Sequence, residues 1–75
     1  MNPINLSLEK FKKYVDNHIG KFSLKIMLDL LEHKYYDKLS YLIENGIYEK
    51  EKIDLLLKIR DVPDEIKIKI KINEL

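Results

Sequence analysis

Apolar positions recur at helical spacing from the first residues onward. Leu8, Phe11, Val15 and Ile19 form one stripe, with Tyr14 and His18 on its flanks. Ser7 stands where an N-cap belongs, Glu9 suits the positive end of a helix dipole, and Gly20 reads as a left-handed C-cap. The spacing therefore predicts a first helix over residues 8–19. Ser23 opens a second run, Leu24, Met27, Leu28, Leu31 and Tyr35, which Ile26 and Leu30 widen into the broadest apolar face of the chain. Leu39, Leu42 and Ile43 continue to Asn45-Gly46, a strong helix stop. Residues 24–45 read as one helix or as two broken near Asp37; the broken version is favoured, because Asp37 can cap the second piece. A further helix runs from Glu49 to Ile59, with Ile53, Leu56, Leu57 and Ile59 apolar, acids in its first turn, and Lys58 and Arg60 in its last. Asp61-Val62-Pro63-Asp64 ends it, since proline cannot continue the ladder.

The period then changes. Glu65-Ile66-Lys67-Ile68-Lys69-Ile70-Lys71-Ile72-Asn73 alternates strictly, with β-branched isoleucine on one face and lysine on the other, and so predicts a β-strand. A shorter alternation, Ile4, Leu6 and Leu8, stands at the N-terminus. The expected fold is mostly α (α+β): one domain over residues 1–75, three to four short helices and a C-terminal strand. A lone strand leaves its backbone groups unpaired. Its expected partner is the N-terminal segment, its own copy in a homodimer, or the sheet edge of another protein reached by β-augmentation. No internal repeat is visible.

Composition sharpens this picture in two ways. Hydrophobic residues make up 45% and charged residues 36%, which suits a globular chain and not a disordered one. Fourteen basic residues against thirteen acidic ones leave a net charge of +1, so no long-range field is implied. There is no Cys, hence no disulfide, thiol nucleophile or Cys-bound zinc. No apolar run is long enough to span a membrane, and the first residues lack the pattern of a secretion signal, so the expected location is the cytoplasm. Lys, Ile, Leu, Glu, Asn and Tyr dominate while Ala, Gln, Thr and Trp are missing, the bias of an AT-rich coding sequence such as a phage or other mobile element carries. A core this small barely offsets the entropy of ordering the chain, and with disulfides excluded the common remaining reinforcement is self-association.

Candidate chemistry is sparse. Ser7, Ser23 and Ser40 read as caps or helix residues, without a base at useful spacing. Asp29, Glu32 and His33 can share one helix face and could hold a divalent ion if His18 approached, although such spacing is common in so charged a chain. The two glycines read as helix caps, so no phosphate loop exists. No catalytic residue, cofactor or metal is expected. Lys67, Lys69 and Lys71 would lie about 7 Å apart along a strand, close to a nucleic-acid phosphate repeat. Tyr35, Tyr36, Tyr41 and Tyr48 gather around a bend and a loop, and tyrosine recurs in binding hot spots.

Two local resemblances follow. The order short strand, helix, Gly turn, helix over residues 4–32 resembles a ribbon-helix-helix repressor, with Asn5 and Ser7 at the base-reading positions and no Arg or Lys between them. Asp37-Lys38-Leu39-Ser40-Tyr41-Leu42-Ile43-Glu44-Asn45-Gly46 resembles the second helix of an ankyrin repeat, without the Thr-Pro-Leu-His opening and without a following copy. The function expected from the residues is a small non-catalytic protein-interaction module, a regulator, inhibitor or adaptor acting as a homodimer on a protein target. Its contacts would come from Tyr35, Tyr36, Tyr41, Tyr48 and the strand residues Ile66, Ile68, Ile70 and Ile72. The alternative is a dimeric nucleic-acid-binding regulator that uses Lys67, Lys69 and Lys71.

Overall fold

Residues 3–74 are described by the computed structural model, and every regular element among them is helical. A 3-10 turn (Pro3–Asn5) precedes α1 (Leu8–Asp16), α2 (Leu24–Glu32) and α3 (Tyr36–Glu44); a second 3-10 turn (Lys50–Lys52) leads into α4 (Ile53–Ile59), and α5 (Asp64–Glu74) closes the chain.

Local chemistry accounts for most of these boundaries. The Ser7 hydroxyl accepts from the Lys10 amide at 3.4 Å and opens α1. That helix stops at Asp16, three residues short of the predicted end, with Asn17 at the cap; Ile19 lies outside it and is almost fully exposed. Ser23 stands at the N-cap of α2 in extended geometry, without a side-chain bond to the helix. The predicted break near Asp37 is real and falls slightly earlier. Lys34 adopts a left-handed conformation (φ 59°), its amide bonds to Leu31 O at 3.0 Å, and the Tyr35 amide bonds to Leu30 O at 2.9 Å. These two bonds form a Schellman motif with lysine where glycine usually sits. Asp37 is not the cap, which is Tyr35; it lies in the first turn of α3, where its carboxylate accepts from the Lys38 amide at 2.8 Å.

The expected C-terminal strand is the main correction. Residues 64–74 form an α-helix, and no strand exists among the described residues; the architecture is all-α, not α+β. The N-terminal strand is also absent, since Pro3–Asn5 is a 3-10 turn. Met1 and Asn2 lie outside the described residues. The pairing of the two segments, the sheet between copies and β-augmentation by residues 66–72 therefore fall away, as does the ribbon required by a ribbon-helix-helix repressor. Pro63 supplies the physical reason: its carbonyl accepts from both the Ile66 and Lys67 amides at 3.0 Å, and Asp64 and Glu65 occupy the positive first turn that follows. A helix satisfies its own backbone, whereas a strand here would have no partner. Period-two isoleucine on a helix splits into two i, i+4 pairs on opposite sides: Ile66 and Ile70 are buried, while Ile68 and Ile72 are exposed.

Three helical units stack in order. The first 3-10 turn and α1 form one, α2 and α3 the second, and α4 and α5, which each dock on the second unit more than on one another, the third. The 3-10 turn and α4 both pack on α2, while α1 and α5 both pack on α3. Their second elements, α1, α3 and α5, begin at Leu8, Tyr36 and Asp64, a constant step of 28 residues. A structural repeat is thus present although the sequence reading found none. The connections between units also run side by side: Phe22 and Tyr48 form an isolated parallel bridge, with the Phe22 amide donating to Ile47 O at 2.8 Å. The core comprises Phe11, Phe22, Met27, Leu30, Leu39, Leu42, Tyr48, Leu56 and their neighbours. The radius of gyration, 11.4 Å, matches the ~11 Å of a well-packed chain of this length, so α5 is docked and not splayed.

Candidate protein-binding face

The third unit presents an apolar surface away from the body. On α4, Ile53 and Leu56 are buried, while Leu55 and Ile59 are 48% and 43% exposed. On α5, Ile66 and Ile70 are buried, while Ile68 and Ile72 are 57% and 63% exposed. Each exposed pair is spaced i, i+4, so each forms a short stripe opposite the stripe that docks its own helix. Because α4 docks on α2 and α5 on α3, and α2 and α3 pack together, both stripes look out of the same end of the stack. Tyr14, Ile19 and Tyr36 are exposed elsewhere, and single exposed apolar residues are ordinary, but two i, i+4 pairs on consecutive helices are not scattered.

Polar contacts fasten this unit to the second one. Arg60 pairs with Glu32, and Lys69 donates to Glu44 Oε1 at 2.7 Å. The hydrogen bond to Glu44, helped by that carboxylate's charge, raises the pKa of the Lys69 ammonium. The Asn73 side-chain amide donates to Ile43 O at the end of α3.

The isoleucines named from the sequence therefore separate into Ile66 and Ile70 in the core and Ile68 and Ile72 on the surface. The lysines separate as well. Lys67 and Lys71 are exposed, whereas Lys69 turns towards Glu44, so the row along a strand is not formed. The tyrosines do not share a patch. Tyr48 is fully buried; Tyr35 is half-buried, stacked on His33 with its ring 4.2 Å from Lys38 Nζ; Tyr36 is exposed at the start of α3. Tyr41 faces α1, where its hydroxyl donates to Asp16 Oδ1 at 2.6 Å, and that bond raises the phenol's pKa.

The four side chains considered for a metal are likewise apart. His33 Nδ1 lies 2.9 Å from Asp29 O, Glu32 pairs with Arg60, and His18 stacks on Phe22 with ring centres 4.1 Å apart. No cluster of His, Asp and Glu suited to a metal forms among the described residues. No described helix is long and apolar enough to cross a membrane.

Leu55 and Ile59 are the surface residues that the sequence reading missed, Ile59 having been placed on the buried stripe. The signal was available: Leu55-Leu56-Leu57 is too wide an apolar arc for a helix that docks on one neighbour. No family model, curated protein or solved structure matches this chain.

Proposed function

We propose that the chain is a non-catalytic protein-interaction module of the cytoplasm, a small regulator, inhibitor or adaptor, that binds through the α4/α5 end of its helical stack. The observation that carries this reading is the exposure of Leu55, Ile59, Ile68 and Ile72 at one end of a body whose core is already filled. Covering these half-exposed side chains would gain roughly 1 kcal/mol each. That total is comparable with the lower estimates of the cost of association, about 4 kcal/mol, so the face suits a reversible contact.

A photo-reactive residue in place of Ile68 tests the reading in the cells that make the protein. Protein adducts should form from position 68 and not from Lys13, on the outer surface of α1. Equal labelling from both positions, or none from 68, would refute it.

A further inference from the structure

We infer that the occupant of the α4/α5 end is a second copy of this chain, docked across a two-fold axis with its α5 antiparallel to the first. The inference rests on the reading of this end as a protein-binding face and names its partner.

The two ends of the stack differ in kind. At the α1 end, Phe11 and Val15 turn inward and the outer surface carries Glu9 and Lys13, both exposed. A copy approaching head to tail would set this charged surface against the apolar stripes, which would strip water from the charges without pairing them. Tyr14, Ile19 and Tyr36 are exposed as well but form no i, i+4 pair, so the matching paired stripes within the copy are those of α4 and α5. Like therefore meets like, and an interface of that kind closes at two subunits.

Charge selects the orientation. Asp64 and Glu65 stand in the first turn of α5, with Lys67 and Lys71 further along. All four are exposed, and none makes an ion pair among the described residues. Antiparallel docking brings the acids of one copy towards Lys71 of the other and opposes the two helix dipoles. Parallel docking would set acid on acid and lysine on lysine. Helix α4 has the same polarity, with Asp54 exposed in its first turn and Lys58 in its last, so antiparallel contact satisfies it too.

Sedimentation of the purified chain from about 1 μM to about 1 mM tests the assembly. The mass should rise with concentration from the 9.0 kDa monomer towards twice that value. Ile68→Lys combined with Ile72→Lys should hold the chain monomeric throughout with its helical circular dichroism intact, because both positions point away from the core. For orientation, Lys67→Glu with Lys71→Glu should weaken self-association at least about tenfold, and so should Asp64→Lys with Glu65→Lys. The chain carrying all four changes, Asp64→Lys, Glu65→Lys, Lys67→Glu and Lys71→Glu, should again dimerise with itself and form no mixed dimer with the wild type.

A wild-type monomer at the highest concentration, or a dimer that survives both isoleucine changes, overturns the inference. A mixed dimer of the four-change chain with the wild type overturns the antiparallel arrangement. If the chain stays monomeric while position 68 labels a different protein, the second-copy inference fails and the binding reading stands. If position 68 labels nothing, both fail.

Discussion

Helices α1 and α5 both dock on α3: Tyr41 bonds to Asp16 of α1, and Glu44 to Lys69 of α5. Each uses the same device, an inward i, i+4 pair, Phe11 with Val15 in one and Ile66 with Ile70 in the other. Their outer surfaces diverge. Glu9 and Lys13 stand out from α1 with Tyr14 beside them, while Ile68 and Ile72 stand out from α5. Docking on α3 thus constrains the inner pair alone and leaves the outer surface to be set by whatever meets it. Water suffices to explain the α1 side.

The largest effect that can break this comparison lies within α5. Ile70→Ala should cost about 2–5 kcal/mol in urea denaturation at low protein concentration, whereas Ile72→Ala should stay within about 0.5 kcal/mol. Equal costs would mean that the two stripes are not inner and outer. The α1 side has its own anchor, the buried Lys38, whose ammonium donates to Ile4 O at 2.7 Å and lies against the Tyr35 ring. Lys38→Met should cost about 1.5–3 kcal/mol. Hydrogen exchange should then quicken in α1 and the first 3-10 turn more than in α5.

A smaller effect, of opposite sign, belongs to the unit on which both helices dock. Lys34→Gly relieves a left-handed non-glycine residue and should stabilise the fold by about 1 kcal/mol, read as a higher denaturation midpoint with an unchanged slope. The smallest is a pH effect on the α1 side. Folding raises the Tyr41 pKa, so the folded chain holds that proton more tightly than the unfolded one. The contribution is complete below the ordinary phenol value of 10.0 and is lost as pH rises through the raised one. Thermal melts from pH 9 upward should show this loss in the wild type, and Tyr41→Phe should remove it.

How far the sequence revealed the structure can be judged residue by residue. Ser7, Asn45-Gly46 and Pro63 punctuate the chain where local chemistry demands, so most helix boundaries were legible. The C-terminal segment was not, because two rules conflict there. Alternating β-branched residues argue for a strand, while Pro63, Asp64 and Glu65 argue for a helix start. The helix prevails because it needs no partner for its backbone. The candidate face was legible only in part: Ile68 and Ile72 were named for a strand edge, and Leu55 was not singled out. Tyr48 and Tyr41 show the limit of composition, since one fills the core and the other is spent on Asp16. The 28-residue step left only a faint trace, Glu9, Asp37 and Glu65 at the helix starts and Asn17, Asn45 and Asn73 at their ends, because the core positions between them meet different neighbours.

The even spacing of the units bears on how the chain finds its fold. Hydrogen bonds between side chains of successive units join residues only 25 to 28 positions apart: Asp16 to Tyr41, Glu32 to Arg60 and Glu44 to Lys69. Ring closures of one modest size thus recur along the chain, and closure entropy grows only slowly with length. Either pair of adjacent hairpins can serve as the nucleus, and chains rich in such near-neighbour contacts fold in microseconds to milliseconds.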